Sequence, residues 1–239
     1  MRPVDEILDV TWPAKSMSVA GGFTLREGGD GIQRISCATL NGVFSDAEID
    51  AAEQAQSQLG QPSLFMIRPY RGPDEMALDV ALKRKGYRIN DPVTVYHAPV
   101  ARLLSRVPPV TAFAHWPPLQ ILREVWAANG VTPPRQAVME RTPVRKTAIL
   151  GRLHDRAAGG AFVAIHQRTA MLHALITAPS FRRQGLARHV IAQAAHWASE
   201  NGAEDFTLAV TRANPANSLY QSLGMREHCS YHYRLKAHV

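Results

Sequence analysis

The chain has 239 residues, 46% hydrophobic and 20% charged, which is the balance of a globular protein able to bury a core and long enough for two small domains. No run approaches the roughly eighteen consecutive apolar residues of a membrane-spanning helix, and Met1-Arg2-Pro3-Val4-Asp5-Glu6 turns acidic where a signal peptide would become apolar, so the chain reads as cytoplasmic with no membrane role. Cys37 and Cys229 have no metal-ligand spacing, which argues against a disulfide framework or any metal site and for two buried thiols, while the net charge of +7 favours an anionic partner.

A nucleotide cofactor, nucleic acid or an acidic surface would each satisfy that charge. The arginines are scattered except at Arg182-Arg183 and between Arg141 and Lys146, without the interleaved aromatics of a nucleic-acid stripe, and this weighs against nucleic acid.

In chain order, Gly22 to Glu27 alternates, Gly28-Gly29-Asp30-Gly31 reads as a turn, and Ile32 to Leu40 resumes as the second strand of a hairpin. Ser45-Asp46-Ala47-Glu48 predicts a helix N-terminus with a capping box, running to about Leu59. Ser63 to Ile67 is a strand, and Asp74 to Lys85 has helical spacing at Met76, Val80 and Leu82, closing at Gly86. A strand region follows from Tyr87 through Val93 to His97. The prolines between Arg102 and Pro118 mark the connection between two halves.

The second half opens with helices at Leu119 to Ala128 and near Gln136 to Glu140. Thr147–Leu153, Gly160–His166 and Thr169–Thr177 then form an antiparallel meander, with turns at Ala157 to Gly159 and near Gln167. A helix from Leu186 to Glu200 buries Val190, Ile191, Ala194, Trp197 and Ala198, and Phe206, Leu208 and Val210 alternate as a strand. Pro215 to Leu223 is a short helix with Asn214 at its N-cap, and Tyr231 to Leu235 is the last strand. The expected class is α+β (mixed α/β) in two domains, 1–105 and 106–239. Both end in strand, helix, Gly, strand (Phe65 to Val95, Phe206 to Leu235), which we read as a diverged internal duplication.

The most specific segment is Leu175-Ile176-Thr177-Ala178-Pro179-Ser180-Phe181-Arg182-Arg183-Gln184-Gly185-Leu186-Ala187, a strand feeding a helix N-terminus. Unpaired N–H groups and the macrodipole make such an end attractive to a pyrophosphate, with Gly185 and Ala187 leaving room and the two arginines adding charge. An ordinary strand-to-helix connection with solvated arginines is the other reading.

Arg182-Arg183-Gln184-Gly185-Leu186-Ala187 resembles the cofactor motif of the GCN5-related N-acetyltransferase (GNAT) family, Arg/Gln-x-x-Gly-x-Gly/Ala. Leu219-Tyr220-Gln221-Ser222-Leu223-Gly224-Met225 and Tyr231-His232-Tyr233 are similar to its downstream segments, so the resemblance covers most of residues 119–239. It implies two GNAT-like domains, each a mostly antiparallel sheet flanked by helices, and transfer of acetyl from acetyl-CoA to an amine acceptor, small molecule or protein. It further implies that the backbone of Leu175, Ile176 and Thr177 pairs with pantetheine, that amides from Arg183 to Arg188 hold the pyrophosphate, and that Tyr220 protonates the departing thiolate. A phenol near pKa 10 is protonated at neutral pH and can serve as that acid, or Tyr220 is only a packed aromatic.

The chain departs from the family in two places. The family's asparagine falls seven residues before the tyrosine, where this chain has Ala213; Asn214 either takes that cofactor role after a one-residue shift or only caps a helix. The Leu-Glu-Val strand that often supplies a base reads Leu208-Ala209-Val210, leaving His173, placed by alternation on the face of Leu175 and Thr177, as a candidate base or a structural histidine, and Glu140 as a weaker candidate. A non-catalytic acyl-CoA sensor is the alternative. The first half has no cofactor motif and resembles a degenerate GNAT half.

Overall fold

The computed structural model describes residues 4–29 and 32–236. The chain forms α1 (Val4–Thr11), β1 (Ser16–Ala20), β2 (Phe23–Glu27), β3 (Ala38–Leu40), α2 (Asp46–Gln58), β4 (Leu64–Ile67), α3 (Pro73–Arg84) and β5 (Arg88–Pro99). It continues through α4 (Val100–Leu103), β6 (Ala112–His115), α5 (Gln120–Ala128), α6 (Pro133–Arg141), β7 (Lys146–Leu153), β8 (Arg156–His166) and β9 (Thr169–Thr177). After β9 come α7 (Leu186–Glu200), β10 (Asp205–Thr211), α8 (Asn217–Ser222) and β11 (Arg226–Leu235). The fold is mixed α/β, its strands mostly antiparallel and flanked by helices.

Two compact units result, and neither is one stretch of sequence. The smaller comprises Ala14–Thr94, Val210–Asn214 and the chain from His228 onward; the larger comprises Val95–Ala209, Pro215–Glu227 and the N-terminal segment through Pro13.

In the smaller unit the strand order is β1-β2-β3-β4-β11-β5, with β3 and β4 parallel and β4 antiparallel to β11. Phe65 on β4 is its centre, edge-on to Phe23 at 5.3 Å and to Tyr87 at 5.6 Å. Helix α2 begins as its sequence predicts: Ser45 Oγ accepts from Glu48 N, while Glu48 Oε2 accepts from Ser45 N at 2.8 Å. A buried ion pair closes the turn from β4 to α3. Arg68 Nε donates to Glu75 Oε1 at 2.9 Å, and Arg68 Nη2 donates to Leu40 O on β3.

In the larger unit the order is β5-β10-β9-β8-β7-β6, antiparallel from β9 to β6, with β10 parallel to β9. Glycines set how closely its layers approach. A Cβ on Gly160 would lie 2.3 Å from Ile149 O and 2.6 Å from Leu122 on α5, and one on Gly151 would lie 2.8 Å from Val190 on α7. Helix α1 belongs to this unit and packs on β8 and β9. His166 Nε2 meets Glu6 Oε1 at 2.7 Å, and Trp12 and Thr11 sit on the ring of His173.

Several expectations change. Helix α1 and strands β1 and β6 were absent from the sequence reading; β6 lies inside the proline-rich connection, where an edge strand tolerates flanking prolines. The expected strand from Ile32 to Leu40 is only β3, since Gln33–Ile35 form a 3₁₀ turn, though β3 does pair antiparallel with β2. Of the turn expected at residues 28–31, Asp30 and Gly31 lie outside the described residues. Helix α3 buries Leu78, Ala81 and Leu82, while Met76 and Val80 are exposed, because Glu75 takes the inward position to meet Arg68. The turn between β7 and β8 is His154-Asp155, both at positive φ, and Gly159 lies inside β8, where its missing Cβ lets Ile176 O approach. Trp197 and Cys229 are half-buried rather than buried. Among the described residues no helix is long and apolar enough to cross a membrane.

Strand β11 is tied to α3 through Asp79. His232 Nε2 and Arg234 Nε each lie 2.8 Å from Asp79 Oδ1, and Arg234 Nη2 donates to Oδ2 at 3.1 Å. Partial burial works against ionisation, but the bonds from Arg234 and His232 outweigh it and hold the carboxyl below its usual range. A folded value below the unfolded one means that the stabilisation is fully present above the unfolded value and is lost as pH falls through the folded one. Asp79→Asn should therefore lower stability by about 1 kcal/mol at neutral pH, discounted for partial solvent screening. Urea melts of both proteins should converge as pH falls through and below the ordinary carboxylate range.

Candidate functional site

Strand β9 runs parallel to β10 only from Thr169 to Leu172, with Leu172 opposite Leu208. The pairing ends where β9 carries an extra residue. Its register to β8 shifts between Gly160↔Ile176 and Phe162↔His173, and Ala174 sits in that interval at φ 50°. This is a β-bulge, which bends the bulged strand and locally disrupts its ladder. Leu175, Ile176 and Thr177 are half-buried; β8 pairs with Ile176 and Thr177 along one edge, and no β10 pairing is formed along the other.

The bulge also corrects the alternation expected for His173. One added residue inverts the facing of everything beyond it, so His173 does not share the face of Leu175 and Thr177. His173 is buried, stacked on Trp12 at 4.9 Å, 6.1 Å from the ring of Phe162, and hydrogen-bonded through Nε2 to Thr11 Oγ1 at 3.0 Å. The other base candidate, Glu140, pairs with Arg123 at 2.8 Å.

Beyond β9 the chain turns through Pro179–Phe181 and enters α7 at Gly185, its N-cap, at φ 84°. No side chain caps this helix, and nothing lies within 4 Å of where a Gly185 Cβ would be, so the glycine is there for its left-handed backbone and the space before the helix is open. Arg182, Arg183 and Gln184 are exposed; Arg183 is itself at φ 62°. Arg182 Nε donates to Thr177 O at 3.1 Å, and Gln184 Nε2 donates to Ser180 O at 3.3 Å. Leu186 anchors the turn in the core, and Ala187 is half-buried. Arg188 Nη2 donates to Ser222 Oγ at 2.6 Å, joining α7 to α8. Arg188 N–H already donates to Gly185 O at 3.0 Å, but a helix start without a side-chain cap, positive φ at Arg183 and Gly185, and exposed guanidinium groups make a concavity suited to a phosphate.

Tyr220 lies on α8 in the same unit, 5% exposed, its ring 5.8 Å from that of Tyr96 on β5. Burial, with a smaller contribution from Tyr96, pushes its phenol up to about 12. Gln221 Nε2 donates to the Tyr96 hydroxyl at 3.2 Å, and Thr207 Oγ1 on β10 donates to Tyr96 O at 2.8 Å. Tyr96 is thus a supporting residue that sequence reasoning missed, with 124 positions separating it from Tyr220 and no local pattern to connect them. Helix α8 starts at Asn217 with Ala216 as N-cap, so Asn214 is not its cap. Asn214 falls in the smaller unit, its N–H donating to Thr211 O at 3.0 Å. Ala209 is half-buried, and its position supplies no carboxylate.

Residues 119–225 match the model of the Acetyltransferase (GNAT) family. The matched segment contains the bulged strand, the uncapped helix and Tyr220. Over 99% of its length it is 25% identical to the uncharacterized N-acetyltransferase YobR of Bacillus subtilis (strain 168), covering 98% of that protein. Among solved structures it resembles a GCN5-related N-acetyltransferase from Kribbella flavida, with TM-score 0.73 at 21% identity over 98% of this chain and 93% of that one. It also resembles a tandem GNAT protein from the clavulanic acid biosynthesis pathway, with TM-score 0.61 at 13% identity over 98% of this chain and 87% of that one.

The positive φ of Gly185 generates a direct expectation. Gly185→Ala should lower stability by about 1 kcal/mol from backbone strain alone, with no steric clash to relieve. Thermal denaturation checks this.

Proposed function

We propose that the protein is an N-acetyltransferase that moves an acetyl group from acetyl-CoA to a primary amine by direct attack. One observation carries the reading. The larger unit brings together an uncapped helix N-terminus fronted by Arg182 and Arg183, a strand edge at Leu175 to Thr177 without a β10 partner, and the protonated phenol of Tyr220. The fit to an acyl-CoA is chemical: N–H donors and guanidinium groups for the pyrophosphate, an open strand edge for the amide-bearing arm. Arg183 to Arg188 would hold the pyrophosphate.

Acetyl-CoA supplies an activated thioester. The chain's own groups supply the rest: N–H donors near Ile176 and Thr177 face the developing oxyanion, and Tyr220 gives its proton to the sulfur as the amine attacks. A phenol held at about 12 remains protonated throughout the neutral range and is available on every turnover. His173, clustered with Trp12 and Phe162, is better suited to fixing α1 against β9 than to exchanging a proton with an amine, and ordered water is our choice for deprotonating the acceptor.

We further propose that the chain is a tandem GNAT whose sequence halves meet at 105/106, although its compact units interleave along the chain, and that the first half does not bind acetyl-CoA. Helix α2 already has its N-terminus filled by the Glu48 carboxylate, which accepts from Ser45 N at 2.8 Å and Gly22 N at 3.0 Å. The parallel strands β3 and β4 are bridged by Arg68, and one acetyl-CoA per chain is the consequence.

Calorimetry with acetyl-CoA should give a single site that disappears in a still-folded Arg183→Glu/Gly185→Glu variant. Two sites per chain would sink the claim for the first half, and no binding would sink the whole reading. Once an amine panel identifies an acceptor, Tyr220→Phe should lower kcat about a hundredfold with little change in acetyl-CoA affinity. Unchanged turnover would remove the acid role from Tyr220, and binding without turnover across the panel would favour a non-catalytic sensor.

A further inference from the structure

We infer that Trp126 is a positioning residue: its indole N–H holds the bulge at Ala174 open, and thereby keeps the edge of Leu175 to Thr177 available to the acyl-CoA arm, an inference that rests on the acetyltransferase reading of the site. Trp126 Nε1 donates to Ala174 O at 3.1 Å across 48 residues of sequence. Its ring is fully buried on α5, one helical turn beyond Leu122, which packs where Gly160 leaves room on β8. The indole is therefore delivered to the bulge by a helix whose height above the sheet is set by that glycine.

Ala174 needs such a partner. A left-handed backbone is disfavoured about five- to thirtyfold for a residue with a Cβ, and alanine has no polar side chain with which to offset it locally, as asparagine or aspartate would. Glycine is the residue that takes φ > 0 in bulges without this penalty. A half-buried carbonyl at the bulge is also stabilised by a donor. Trp126 meets this second need, and a net hydrogen bond shifts a local equilibrium by about two- to tenfold, the same order as the backbone bias it opposes. Without it the strand is drawn toward regular pairing, which would return the bulged residue to the ladder and change the edge at Leu175, Ile176 and Thr177.

The test compares wild type, Trp126→Phe and Trp126→Phe/Ala174→Gly in the full chain, reading acetyl-CoA affinity by calorimetry and amide exchange at residues 173–177. Trp126→Phe should weaken binding about fivefold and speed exchange at those amides. Adding Ala174→Gly should restore both to within about twofold, because glycine removes the bias that the indole opposes. A ring that merely filled the core would not be rescued by a glycine in the bulge, so an unrescued loss overturns the inference, as does wild-type binding by Trp126→Phe. Should Trp126→Phe not fold, Ala174→Val decides the matter with the tryptophan in place: a β-branched residue disfavours φ > 0 further and should weaken binding, and wild-type affinity there overturns the lock. Failure of the wild-type chain to bind acetyl-CoA overturns the reading of the site itself, whereas normal wild-type binding with an indifferent Trp126→Phe overturns the lock alone.

Discussion

The larger unit turns on the point at which β9 leaves β10. Up to Leu172 and Leu208 the two strands are an ordinary parallel pair, and a parallel pair consumes the N–H and C=O groups along the edges it joins. One extra residue at Ala174 ends the pairing without ending the strand, because β8 continues to pair with β9 through Thr177. The result is a strand held firmly on one side and open on the other. The chain that follows this opening, from Leu175 through the turn into α7, belongs to the same unit.

The two helices that follow parallel-paired strands show how one architecture yields two chemistries. Helix α2 follows β3 and starts with Ser45 and Glu48 satisfying each other's backbone donors, so its first turn is already neutralised by a carboxylate. Helix α7 follows β9 and starts with a left-handed glycine and no side-chain cap, leaving partial positive charge facing solvent beside two arginines. A capping box stabilises a helix in isolation, whereas an open N-terminus sacrifices that stabilisation and gains the capacity to hold an anion. The same contrast appears after β4, where the pair Arg68 and Glu75 occupies the turn with the protein's own charges. Both positions in the smaller unit are thus occupied by the protein's own side chains.

What was legible in the sequence is what is encoded locally. The capping box at Ser45, the helix from Leu186 to Glu200, the strand Thr169–Thr177 and the glycine-ended turns at Gly86 and Gly224 follow from short-range rules, and the structure has them. The strand, turn and helix start from Leu175 to Ala187 were legible for the same reason, being contiguous. What failed was non-local or off-period. A period-two reading of His173, Leu175 and Thr177 has no means of registering a bulge that alanine, rather than glycine, occupies. Met76 and Val80 look like a buried stripe until Glu75 is known to need the inward position for Arg68. Tyr96 and Trp126 contact their partners only because the sheet and α5 bring them there, and nothing near either residue announces it.

The discontinuity of the units has a consequence for how the site is held. Helix α1, the first described element, packs on β8 and β9, and Trp12 covers His173 directly before the bulge, with Thr11 bonding the ring nitrogen and Thr142 donating to Thr11 O. Ala174 is therefore preceded by a side chain pinned from the N-terminal helix and is itself held by an indole from α5, two elements more than a hundred residues apart. Such long-range closure carries a chain-entropy penalty that grows only slowly with loop length, so the distance in sequence is a small disadvantage beside the burial of Trp12 and Trp126. It also makes the geometry of the open edge a property of the assembled unit rather than of the segment that carries the motif. The motif segment carries the strand and the helix start, whereas the residues on which its bulge rests are contacted by Trp12 and Trp126 from distant parts of the chain.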